Sequence, residues 1–108
     1  MDAESREIYE LKARVLQAIA HPLRLAILDI LSQGEQCVCD ISERVGAKRS
    51  NVSRHLSVML GAGILASRKD GLQVFYSLHT PCILSSLDCA ANVLREQVSH
   101  RSKLIDKL

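Results

Sequence analysis

Aromatic side chains are scarce in this chain: one Phe, two Tyr and no Trp among 108 residues. The core must therefore be aliphatic, which a hydrophobic content of 47% makes feasible. No stretch approaches the roughly 20 apolar residues that a membrane span requires. The acidic start Met1-Asp2-Ala3-Glu4 lacks the character of a signal peptide. These absences predict a cytoplasmic protein without a membrane partner. Internal repeats and low-complexity segments are also missing, so a single small domain over residues 1–108 is expected. A chain of this size buries only about two-thirds of its unfolded surface, and a second copy of itself is the expected source of further burial.

One further absence is local. Residues 44 to 69 contain no acid but hold Arg44, Lys48, Arg49, Arg54, Arg68 and Lys69, a net of +6. Residues 1 to 43 carry four basic and eight acidic side chains, and residues 70 to 108 carry four of each. A single segment supplies the positive field.

The apolar spacing places that segment in a fold. Ile8, Leu11, Val15 and Ile19 predict a helix from about Glu4 to Ala20. Pro22 opens a second, with Leu23, Ile27, Ile30 and Leu31 on its stripe and Gly34 near its end. Cys39 to Val45 forms a short third helix stopped by Gly46. Ser50 is the expected N-cap of a fourth, with Val52, Leu56, Met59 and Leu60 on its stripe. A short helix, a turn of about four residues and a helix with a basic outer face read as a helix-turn-helix. Residues 64–69 and 73–78 then predict two strands around the turn dipeptide Asp70-Gly71, a hairpin in the position of a wing. Thr80 and Pro81 start a last helix to about His100, with Leu84, Leu87, Ala91, Leu94 and Val98 on one face. The expected class is mainly α with a two-stranded β-hairpin, a winged helix-turn-helix. The apolar stripes of its first and last helices exceed what so small a domain needs and predict a homodimer.

On the fourth helix, Ser50, Asn51, Ser53, Arg54 and Ser57 lie off the apolar stripe, with Lys48 and Arg49 just ahead. Such side chains bind phosphates by charge and base edges by hydrogen bonds, and a helix of this width fits the major groove of double-stranded DNA. Arg54 is the candidate for a guanine contact, and Lys48 and Arg49 position the helix on phosphate. Asn51, Ser53 and Ser57 complete the set. His55, turned about 100° from Arg54, either joins it or packs at the groove edge. Arg68 and Lys69 of the wing add backbone contacts.

Four stretches carry a family resemblance: His21-Pro22-Leu23-Arg24-Leu25-Ala26-Ile27-Leu28, Asn51-Val52-Ser53-Arg54-His55-Leu56, Gly61 to Leu65, and Gly71 to Leu78. In this order they resemble the ArsR/SmtB family of bacterial metalloregulatory repressors, over about residues 8 to 100. The resemblance implies a winged-helix homodimer that sits on a palindromic operator and leaves when an inducer binds, with the first and last helices forming the dimer interface.

Within that frame Cys37-Val38-Cys39-Asp40 is similar to the segment opening the third helix in the arsenic- and cadmium/lead-sensing branches. Two Cys-x-Cys thiolates suit soft ions: As(III), Sb(III), Cd(II), Pb(II), Hg(II) or Zn(II), with no organic cofactor implied. In a regular helix residues two apart point about 200° from each other, so ion capture is expected to unwind or re-aim the first turn of the third helix. The helix dipole is expected to favour both thiolates. The arsenic branch often carries a third Cys where this chain has Ser42, so Cys82 and Cys89 are the remaining candidate ligands. About 10.5 Å of helix separates those two. The zinc site that other family members carry on the last helix is missing, because Asp88 and His100 lack its partners. The same thiols permit an alternative, a redox- or persulfide-sensing repressor. No hydrolase site is formed, since Ser53 and His55 point to different faces of one helix.

Overall fold

The computed structural model describes residues 1–108. Asp2 caps the first helix, α1 (Ala3–Gln17), by accepting from the Ser5 amide at 2.7 Å. The His21 ring caps α2 (Pro22–Leu31): its Nδ1 accepts from the Leu23 amide at 3.1 Å, and Pro22 takes the first helical position. A two-residue strand, β1 (Gln36–Cys37), leads directly into α3 (Val38–Val45), which Gly46 ends in the left-handed conformation. Then follow α4 (Arg49–Gly61), β2 (Leu65–Asp70), β3 (Gln73–Leu78), a 3-10 turn (Pro81–Ile83) and α5 (Leu84–Asp106).

Three differences from expectation bear on the site. The sheet has three antiparallel strands in the order β1-β3-β2, with Cys37 opposite Phe75 and Arg68 also opposite Phe75. A two-residue strand is too short to leave a periodic signal. The hairpin loop is Gly71-Leu72, since Asp70 pairs with Gln73; Gly71 supplies the positive φ needed at the first of two loop positions. Lys48, not Ser50, is the N-cap of α4, because the turn after Gly46 leaves Lys48 extended and Arg49 already helical. The Ser42 hydroxyl closes that turn by donating to the Ala47 carbonyl.

Ile27 and Leu28 of α2, Ile41 of α3, Val52, Leu56 and Met59 of α4, and Ile64 are fully enclosed and bring the helix-turn-helix and sheet together. By contrast, neither α1 nor α5 contains a buried residue. Ile8, Leu11 and Leu16 on α1, and Leu94, Val98 and Ile105 on α5, stand exposed. The radius of gyration, 17.5 Å, exceeds the roughly 13 Å of a compact chain this long. An apolar groove of about 430 Å³ runs between the end of α1, α2 and α5, lined by Leu16, Ile19, Leu25, Leu87 and Leu94 among others. No helix is long and apolar enough to cross a membrane.

Candidate metal centre and nucleic-acid interface

Cys37 is both the end of β1 and the N-cap of α3, with extended backbone at φ −82° and ψ 162°. Helical spacing therefore does not relate it to Cys39. The two Sγ atoms meet at 2.9 Å, and the Asp40 carboxylate completes a group of three donors lying within 4.8 Å of one another. The expectation that the sulfurs diverge is thus corrected. Sharing an ion at about 2.3 Å per bond needs sulfurs roughly 4 Å apart, about 1 Å more than the separation found here.

Cys37 is buried, Cys39 half-buried and Asp40 exposed. The Cys39 sulfur, by hydrogen bonding, raises the Cys37 pKa; burial and the Asp40 carboxylate add to this, while the Asp40 amide opposes it. At Cys37 the neighbouring thiol thus acts against the favourable helix dipole, and more strongly than the Asp40 N–H acts with it. A soft ion would displace the proton on binding. Cys82, in the 3-10 turn, and Cys89, on α5, are exposed and do not join this donor group within the subunit.

The thiols open into a cleft of about 240 Å³ whose other walls are Arg49 and Ser53 of α4 and Leu72, Gln73 and Val74 of the wing. The start of α3, the first turns of α4 and the hairpin tip share this one space.

Across α4, Lys48, Arg49, Ser50, Arg54 and Ser57 are exposed, and Asn51 and Ser53 are half-buried. Arg54 donates from Nη2 to Asn51 Oδ1 at 2.9 Å, which aligns a guanidinium and an amide side by side and leaves the charge unneutralised. His55 is placed differently from the rest of the expected set. It turns inward, its Nδ1 accepting from Arg24 Nε at 3.1 Å and its ring 4.4 Å from that of His21.

The wing basic pair is divided. Lys69 is exposed, but Arg68 donates to both carboxylate oxygens of Glu35, at 2.6 to 3.0 Å, and lies 4.7 Å above the Phe75 ring, with Asp70 3.6 Å away. Residues 44 to 69 lack acids in sequence, yet the fold brings one to them. Nothing in the local pattern marks this pair, whose members are 33 residues apart.

Comparison with known proteins adds the wider context. Residues 21–67 match a family model described as "Bacterial regulatory protein, arsR family". The HTH-type transcriptional regulator Rv0081 of Mycobacterium tuberculosis is 37% identical over 106 residues, 97% of this chain and 93% of that protein. Its crystal structure aligns with a TM-score of 0.76, covering 87% of this chain and 95% of that one. The crystal structure of NolR from Sinorhizobium fredii is 30% identical, with a TM-score of 0.79 over 86% of this chain and 93% of its own. The solution structure of the homodimeric winged helix-turn-helix DNA-binding domain of Mb0332 from Mycobacterium bovis is 26% identical, with a TM-score of 0.78 and 93% of each chain covered.

Proposed function

The chain belongs to the arsR family of bacterial regulatory proteins, DNA-binding transcriptional regulators and not enzymes, and from that premise we propose an inducible repressor whose dithiol controls its grip on DNA. It binds a palindromic operator as a homodimer through Lys48, Arg49, Ser50, Asn51, Ser53, Arg54 and Ser57. It lets go when Cys37 and Cys39, with Asp40 as an oxygen donor, take up As(III), Sb(III) or a soft divalent cation such as Cd(II), Pb(II) or Zn(II). The unpartnered apolar faces of α1 and α5 support the dimer.

One observation carries the inducer reading: the two sulfurs face each other at 2.9 Å in a cleft walled by Arg49 and Ser53 of α4 and by the wing tip. Two thiolates and a carboxylate suit a polarisable ion better than Mg(II) or Ca(II). An ion that spreads the sulfurs shifts Val38 and Cys39 against the wall that α4 provides. The ion releases DNA only to the extent that it binds the DNA-free arrangement more tightly, and a coupling of about 1–3 kcal/mol, roughly 5- to 150-fold, suffices. Arsenite, Cd(II) and an oxidant titrated separately against the DNA complex test this. Release by an ion that is absent in Cys37→Ser with Cys39→Ser supports the reading; ions without effect overturn it. X-ray absorption of the ion-loaded dimer counts sulfurs per ion and so reports whether Cys82 or Cys89 of either subunit joins.

The thiol–thiol contact favours a second reading. A hydroperoxide takes two electrons from the pair as its O–O bond breaks to alcohol and water, or a persulfide does so as its S–S bond breaks to thiol and hydrogen sulfide; the two thiol protons pass to those products as a Cys37–Cys39 bond forms. Release by the oxidant alone selects it.

A further inference from the structure

Away from the thiol cleft and the outer face of α4, Arg24 stands without a carboxylate partner, since every ion pair in the chain involves Arg68. Its Nε donates to His55 Nδ1 at 3.1 Å, and its Nη1 reaches the main-chain carbonyls of Gln17 and Ala18 at 3.4 Å each. Both Arg24 and His55 are half-buried. One guanidinium therefore joins three helices: the end of α1, the first turn of α2 and the middle of α4.

This geometry fixes a proton. Because Nδ1 accepts, His55 is neutral and carries its hydrogen on Nε2. The charged and titratable groups facing it are His21 and Arg24 of α2 and Arg54 of α4, and α1 offers only carbonyls to Arg24. Burial first, then these three neighbours, hold the His55 pKa below the ordinary histidine value. Protonation would turn a donor toward a donor and place a cation among cations.

We infer that Arg24 is a positioning residue for DNA binding: it holds α4 against α1 and α2 through an acceptor that only neutral His55 supplies, so acid loosens α4 and weakens the complex. The inference rests on α4 being the DNA-reading helix. His55 and Arg54 are consecutive residues of α4, so a shift of that turn of the helix carries both. The sign is opposite to that of a histidine lying on phosphate, which gains charge in acid and binds more tightly.

The test uses the full chain and a duplex of about 30 bp, long enough for two half-sites, recovered by selection from a random library. Affinity is measured at fixed ionic strength from about pH 8 to about pH 5.5. Wild type is expected to lose about tenfold across this range. His55→Gln keeps an acceptor that does not titrate, and its profile is expected to be flat. Arg24→Gln is expected to bind weakly at every pH, also with a flat profile. In the DNA-free protein, ¹H–¹⁵N long-range spectra should place the His55 proton on Nε2 at neutral pH, which reads the wild type directly should a variant fail to fold. A flat or rising wild-type profile, an acid loss that survives in His55→Gln, or a proton on Nδ1 at neutral pH overturns the inference alone. Recovery of no duplex overturns the DNA-binding reading and this inference with it.

Discussion

The recognition helix and the wing both present arginine, yet the two arginines differ in what they can offer a phosphate or a base. Arg54 on α4 is exposed, and its hydrogen-bond partner is the neutral amide of Asn51. Arg68 on β2 is held by both oxygens of Glu35, with Asp70 nearby and the Phe75 ring beneath it. One positive charge is free and the other is already matched. A count of basic residues therefore overstates the wing, and DNA affinity should concentrate on α4. The thiol cleft lies between the two regions, so a change there bears on both.

The largest effect should come from α4. Arg54→Ala is expected to cost about 1–3 kcal/mol of DNA binding per subunit and to relax sequence preference at its base pair. Ion uptake, followed by the ultraviolet charge-transfer absorption of bound thiolate, should be unchanged. Equal loss on all sequences would make Arg54 a phosphate contact and weaken the contrast with the wing.

Next in size is the cleft. Cys37→Ser with Cys39→Ser should bind DNA as wild type does and lose the entire ion-dependent release, about 1–3 kcal/mol of coupling. Fluorescence anisotropy of a labelled duplex during ion titration checks it. Cys82→Ser and Cys89→Ser, both outside the donor group within a subunit, should retain release. Release by ions in the double variant would remove the cleft from the mechanism.

Much of this arrangement is legible in the sequence, for a reason that also sets its limit. Periodicity reports which face of an element is buried, so Val52, Leu56 and Met59 mark α4, and its polar face follows. It does not report what an element meets. Glu35 and Arg68 are 33 residues apart and Arg24 and His55 are 31 apart, so neither pair leaves a local trace. Cys37 shows the complementary failure. Helical spacing would turn the Cys37 and Cys39 sulfurs apart, but Cys37 is the extended residue before the helix, and that single backbone conformation turns its sulfur toward Cys39. Ser42, where the arsenic-sensing pattern often has a cysteine, closes the turn of the helix-turn-helix through Ala47, a role that only the folded chain reveals.

The smallest effects belong to the wing, where they discriminate best. Each free cation that neutralises a phosphate adds about 0.9 to the slope of log affinity against log salt. Lys69→Ala should therefore lower that slope by about 0.9 per subunit and weaken binding a few-fold. Arg68→Ala should change it little, because the charge removed is already paired. Glu35→Gln should do the reverse of Lys69→Ala and release Arg68 to the phosphates. Equal slopes for Lys69→Ala and Arg68→Ala would show that Glu35 yields its partner to DNA. The pairing is also separable from the His55 effect by pH. Arg68, chiefly by hydrogen bonding, holds the Glu35 carboxyl below its ordinary value. The pair is thus fully present above the ordinary carboxylate range and fades only as pH falls through that lowered value. An affinity loss between the ordinary histidine value and the carboxylate range that disappears in His55→Gln therefore belongs to α4, and one confined to stronger acid belongs to the wing.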